Sequence, residues 1–311
     1  MPKIAVVQEP PVLLDRAATL ERAVAALDRA ADAGAQLVVF PETYIPGYPD
    51  WVWRIRPDDF KLAGALHERL LASAVDLEKD DLAPLRQAAL RRKVTVVCGV
   101  QEREGSHGRS TLYNTVVIVG PDGAILNRHR KLVPTNPERM VWGQGDASGL
   151  RVVDTPAGRL GALICWENYM PLARFALYAQ GVEIYLAPTW DQGDSWIGSM
   201  RHIAREARAW VVSAAICMQA KDVPAEFPQR ATVYPDEEEW LNSGDAVVID
   251  PTGAIAAGPL RRERGILYAE CDPERSAVAR RSLDVAGHYG RPDIFRLEID
   301  RTPRVPASFR E

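Results

Sequence analysis

A glutamate, a lysine and a cysteine each stand where an apolar run of this sequence stops. Residues 37–40, LVVF, lead into Pro41 and Glu42; residues 124–127, AILN, lead into RHRK, which ends at Lys131; residues 160–164, LGALI, lead into Cys165. Together these types make a chemistry. A carboxylate takes a proton, a thiol attacks an electrophilic carbon, and an ammonium stabilises the negative charge that develops. Each also has a plainer reading. Cys165 reads as a small buried hydrophobe, Glu42 as a solvated strand-end carboxylate, and Lys131 as the solvated end of a basic run. The residues after Cys165 speak against its plain reading: Trp166-Glu167 come next, then Met170-Pro171, a helix start with proline in its first turn. A thiol near a helix N-terminus, or beside a cation, has a lowered pKa and carries more thiolate. No histidine offers itself as the thiol's partner. His67, His107 and His129 have no local motif, His202 shares a helix with the apolar Ile203 and reads as core, and His288 lies in AGHYGRPD.

The elements that must position these groups are set by hydrophobic spacing. Residues 3–7 read as a strand. A helix comes next, with Leu20, Val24, Leu27 and Ala31 on one face and Gly34 just past its end, and 37–40 is a second strand. That β-α-β opening implies parallel strands. The pattern recurs as helix 82–92 before strand 94–100, helix 171–180 before strand 183–187, and helix 200–209 before strand 211–216. Between these units VVIVGPDGAILNRH, RVVDTPAGRLGALI and AVVIDPTGAIAAG each read as strand, Pro-x-Gly turn, strand. Proline presets φ and glycine supplies positive φ, so each is a hairpin. Parallel units interleaved with hairpins, without a linker, predict one domain over 1–311. Its expected form is two mixed sheets packed face to face with helices outside. Segments 44–74 and 222–240 read as loop-rich candidate walls of a pocket or an interface. In α/β sheets clefts form where strands end, so the three reactive strand ends are expected to share one.

Composition narrows the class. The 311 residues are 47% hydrophobic and 26% charged, an ordinary globular balance. A net charge of −4, from 38 basic and 42 acidic residues, argues against a nucleic-acid surface. The opening MPKIAVVQEPPVLL has no long apolar core and no small-residue cleavage site, and no run approaches a membrane span. A cytoplasmic protein without a membrane partner is expected. The four cysteines are widely spread with no CxxC pair, which argues against a disulfide framework or a zinc site.

PETYIPGYPDW around Glu42, HRKLVPTNPERMVWGQGD around Lys131 and LICWENYMPLARFALYAQG around Cys165 resemble the nitrilase branch of the carbon–nitrogen hydrolase superfamily. APTWDQGDSWIGSMRHIAREAR and DVAGHYGRPDIFRL fit the same branch. The resemblance implies a four-layer α-β-β-α sandwich and a triad of Glu42, Lys131 and Cys165. It implies a second carboxylate at Glu138 and a homo-oligomer built from dimers. It implies hydrolysis of an organic nitrile to carboxylic acid and ammonia, through a covalent thioimidate and then a thioester on Cys165, with no metal and no organic cofactor. Amidase, N-carbamoyl hydrolase and cyanide-hydrolysing activities share the triad and remain alternatives. Of the aromatic residues in the motifs, Tyr48, Trp166 and Trp190 are the candidates for contact with the substrate's organic group. The Trp166 N–H is the expected second donor to the developing anion, and Glu167 is expected to hold the turn by hydrogen bonds. Asn168 stands where histidine is common in the branch and reads as tuning.

Overall fold

The computed structural model describes residues 1–307. Its first sheet contains β1 (Lys3–Gln8), β2 (Leu37–Val39), β3 (Thr95–Arg103), β4 (Leu112–Val119), β5 (Ile125–Arg130) and β13 (Gly265–Glu270), in the order β13-β1-β2-β3-β4-β5. The second is ordered β10-β11-β9-β8-β7-β6, with β12 paired to β11. Its strands are β6 (Val152–Thr155), β7 (Gly158–Ala162), β8 (Ile184–Thr189), β9 (Trp210–Ala215), β10 (Cys217–Gln219), β11 (Trp240–Ile249) and β12 (Ile255–Arg261).

Both sheets are mixed, as the interleaved patterns predict. β1-β2-β3 and β7-β8-β9 run parallel, and the three expected hairpins pair antiparallel as β4-β5, β6-β7 and β11-β12. Strand alternation sorts the core into layers. Ile4 and Val6 of β1 face Leu186, Val212 and Val248 between the sheets, while Ala5 and Val7 face outward to α1 (Arg16–Asp32) and α3 (Ala83–Arg92). On the far side Tyr185, Val211 and Val247 pack against α4 (Pro171–Tyr178) and α5 (Asp194–Ala207). The result is the expected α-β-β-α sandwich.

Three local expectations are corrected. The segment read as loop-rich from 44 to 74 holds α2 (Phe60–Ser73), a 14-residue helix that buries Leu62, Leu66 and Leu70 in an aromatic cluster with Tyr48, Trp51 and Trp142. α5 begins at Asp194, six residues before the predicted start at 200, because Trp196 and Ile197 belong to its buried face. His202 is not core: its side chain is 68% exposed and lies 3.8 Å from Glu206. Two further short α-helices lie among the described residues, α6 (Arg230–Val233) and α7 (Glu274–Arg280). Among the described residues no helix is long and apolar enough to cross a membrane.

Candidate active site

The three reactive strand ends meet at one edge of the sandwich. Glu42 sits three residues beyond β2, on a turn that crosses β3 at Gly99. A Cβ on Gly99 would lie 2.2 Å from the Pro41 carbonyl oxygen and 2.4 Å from the Thr43 nitrogen, so only glycine lets the two backbones pass. The Gly99 N–H donates to the Pro41 carbonyl and the Ile45 N–H to the Gly99 carbonyl, both at 3.2 Å.

Glu42 is buried, and three donors hold it. Its Oε1 accepts from Asn114 Nδ2 (2.6 Å) and Lys131 Nζ (3.0 Å); its Oε2 accepts from the Trp190 backbone N–H (2.7 Å). Trp190 comes directly after β8, so the Glu42 carboxylate ties the first sheet to the second. Burial pushes the Glu42 carboxyl up and the Glu138 charge adds to this, while Lys131 and Asn114 oppose it; the net direction is upward, toward a better base.

Lys131 comes directly after β5. Its Nζ also donates to Glu138 Oε2 at 2.8 Å. Burial alone would lower this ammonium, but the negative charge of Glu42 and its neighbours holds it well above its ordinary range. Glu138 lies in a 3-10 turn (Asn136–Met140), where its Oε2 accepts the Thr135 N–H (2.7 Å) and its Oε1 the Tyr48 hydroxyl (2.7 Å).

Cys165 is buried at the start of a 3-10 turn (Cys165–Tyr169), with φ of 51°. Left-handed backbone at a non-glycine residue is uncommon and turns the chain sharply. The turn separates Cys165 from α4, so the helix beginning at Pro171 does not start at the thiol. Nor is the thiol's pKa lowered, as the sequence led one to expect. Burial and the Glu42 charge push it up, and Lys131 and the Thr189 hydroxyl offset only part of this. A carboxylate acting on a neighbouring thiol is an arrangement in which a base can take the proton as the sulfur attacks.

The elbow is held from beneath. Asn168 Nδ2 donates to the carbonyls of Leu163 (3.0 Å) and Cys165 (2.7 Å), and its Oδ1 accepts from the Tyr185 hydroxyl (2.7 Å). Glu167, also buried, accepts the N–H of Ile164 (2.8 Å), the N–H of Leu132 (2.5 Å) and His129 Nε2 (3.1 Å). Burial would raise this carboxyl, but His129 and the two N–H groups hold it below its ordinary value. Among the described residues the Trp166 N–H donates to no backbone carbonyl outside its own turn, as expected of the first N–H groups of a helical turn.

The aromatic candidates separate. Tyr48 is buried, bonds Glu138 and stacks on Trp190 with ring centroids 4.4 Å apart and planes 8° from parallel. Trp166 is 46% exposed; its indole donates to Asp191 at 2.8 Å and meets Tyr169 edge-on. Asn114 and Thr189 also contact these groups and were not singled out from the sequence, while His129, which contacts Glu167, was set aside there as having no local motif. Asn114 was legible as the amide inside the apolar strand LYNTVVIV. His129 was hidden in the basic run.

Residues 3–281 match the family described as carbon-nitrogen hydrolase. The chain is 40% identical to Nitrilase 1 of Arabidopsis thaliana over 99% of its own length and 89% of that protein's. It is 41% identical to the aliphatic nitrilase of Sinorhizobium fredii (strain HH103), covering 97% and 96%. The crystal structure of a carbon-nitrogen hydrolase from Helicobacter pylori G27 superposes with a TM-score of 0.71 at 20% identity, covering 94% of this chain and 96% of that one.

Proposed function

The chain belongs to the carbon–nitrogen hydrolase family, among its nitrilases, and from that premise we propose how it hydrolyses a nitrile. Residues 1–311 are read as one hydrolase domain. Cys165 is the nucleophile, Glu42 the general base and acid, Lys131 the cation, and Glu138 the carboxylate that holds Lys131. The observation that carries this reading is the buried chain Glu42–Lys131–Glu138, with bonds of 3.0 and 2.8 Å, whose charges act on the Cys165 thiol.

The Cys165 sulfur adds to the nitrile carbon as its proton passes to Glu42, and Glu42 returns that proton to nitrogen to give a thioimidate. Lys131 and the Trp166 N–H face the negative charge that builds in each addition step. Water then adds to the thioimidate carbon with its proton taken by Glu42. The nitrogen receives that proton and then, through Glu42, the proton of the newly added hydroxyl; ammonia leaves as the carbonyl forms, and a thioester remains. A second water, deprotonated by Glu42, expels the sulfur as the proton returns to it. The balance is one nitrile and two waters to one carboxylic acid and one ammonia. The mechanism calls for neither a metal nor an organic cofactor, and the substrate is the small-molecule partner.

Tyr48 and Trp190 are proposed to wall the substrate's organic group, supported by their stacking beside Glu138 and Glu42. Trp166 contributes its backbone N–H. A homo-oligomer built from dimers is proposed on the apolar side chains left in the open around a groove of about 1160 Å³ between α4 and residues 285–297, among them Leu172 (66% exposed) and Phe295 (75%). No nucleic-acid partner is proposed on the acidic balance, and a cytoplasmic setting is proposed on the lack of a signal-like or membrane-spanning apolar run.

The test is product analysis on matched aliphatic, aryl and arylacetic nitriles, cyanide, and the corresponding amides, with Cys165→Ala as control. Acid and ammonia from nitriles, with amides nearly inert, support the reading. Turnover of amides or carbamoyl compounds in place of nitriles overturns the substrate assignment.

A further inference from the structure

We infer that Asn114 is a positioning residue which, with Lys131, closes Oε1 of Glu42 and confines every proton this carboxyl carries to Oε2. The inference rests on the proposed hydrolytic function and names the atom through which it runs.

An ionised carboxylate offers about four lone-pair sites and no donor. Asn114 Nδ2 at 2.6 Å and Lys131 Nζ at 3.0 Å both donate to Oε1, and so fill its two. Neither partner can be reversed at low cost. The ammonium has no acceptor, and turning the amide would set Oδ1 against a negative oxygen. Oε2 takes one donor, the Trp190 N–H at 2.7 Å, and keeps one site open. That open site is where the thiol proton arrives and from which nitrogen and water are served.

The same asparagine indexes the cation. The Lys131 N–H donates to the Asn114 carbonyl at 2.7 Å, so one residue of β4 sets both the base and the strand end that carries the ammonium. Stability does not account for this amide. Its Oδ1 is buried without a partner among the described residues, an unfavourable placement in a largely buried strand. The amide is explained by what its Nδ2 does for Glu42.

Glu42 is faced by Lys131 from the end of β5, Asn114 from β4, the Trp190 N–H from the end of β8, Glu138 from its 3-10 turn, and the Cys165 thiol from the elbow. Asn114 and Lys131 favour the ionised form; burial and Glu138 oppose it. Loss of the Asn114 bond therefore makes Glu42 harder to ionise, and activity should be lost at a higher pH on acidification.

The experiment is the pH profile of kcat/KM for the intact enzyme and for Asn114→Ser and Asn114→Asp, on the nitrile the parent turns over best. Thermal melting and the pH dependence of Cys165 alkylation by iodoacetamide are followed in parallel. In Asn114→Ser the acid limb is expected to move up by about one pH unit, and further in Asn114→Asp, where a second carboxyl adds like charge. kcat is expected to fall about tenfold or more with KM changed by less than about threefold, the pattern of an interaction made in the transition state. The alkylation profile should move with the acid limb. A purely structural role would lower the melting temperature and leave the limb in place, and that result in either variant overturns the inference. Were the parent inert on nitriles, the hydrolytic function itself would fail, and were Cys165→Ala still active, its covalent mechanism would. A parent that works, with Asn114 variants that keep its acid limb, overturns the role of Asn114 alone.

Discussion

Cys165, the proposed nucleophile, lies in surroundings that favour its protonated form. Its thiol is pushed up by burial and by the Glu42 charge, and the Glu42 carboxyl is itself pushed up by burial, toward a better base. Alkylation of Cys165 at neutral pH should therefore depend on Glu42. In Glu42→Gln the rate of iodoacetamide labelling is expected to fall on the order of 100-fold, the lower range for loss of a general base; an unchanged rate would show that the thiol ionises without it. The three candidate residues were legible because each follows an apolar run, directly or within a few residues. Their setting was less so. The run RHRK reads as a solvated face, yet on an edge strand it alternates. Arg128 and Arg130 both reach Glu102, each with its Nε at 2.9 Å, while His129 and Lys131 are buried on the other side. Composition alone cannot say which half of such a run is wet.

The elements act as rulers that end at the site. β2 places Glu42 only because Gly99 on β3 leaves room for the turn. Gly99→Ala should displace that turn and lower kcat/KM by about 100-fold or more, since small misplacement of a reacting group carries that cost; circular dichroism and melting would show whether the fold survives. A second ruler is Glu167, whose carboxylate takes an N–H from each side of the active edge, Leu132 after Lys131 and Ile164 before Cys165. Its pKa is held below the ordinary value of 4.5, so its contribution to stability is present above that value and is lost as pH falls through the folded one. Glu167→Gln should therefore melt lower than the parent at neutral pH, with the gap closing on acidification below about pH 4.5. A gap that stays constant with pH would show that the charge is not what matters. The β-α-β units and all three hairpins were legible from period and turn chemistry. α2 was not, although Leu62, Leu66 and Leu70 recur every four residues, because Gly64 and the prolines and aromatics before the helix masked the period. α5 was read late because its first turn, DSWI, carries the polar Asp194 and Ser195 beside its buried Trp196 and Ile197.

At the scale of the molecule, the two sheets are what bring the groups together. Glu42 and Lys131 leave the first sheet, Cys165 and Trp190 the second, and each sheet receives a carboxylate from across the interface: the Trp190 N–H bonds Glu42, and Leu132 and His129 bond Glu167. The sandwich was legible from its mixed patterns, whereas these crossings are contacts between residues more than thirty positions apart, and no local period reports them. The covalent step at Cys165 is the centre of the proposed mechanism, and the direct test is intact and peptide mass analysis of protein quenched during turnover of a slow nitrile. The expected result is a mass increase equal to the bound imidoyl or acyl group on the peptide that contains Cys165, absent in Cys165→Ala, with ammonia release lost in that variant. Sustained turnover with no adduct, or an active Cys165→Ala protein, would contradict it.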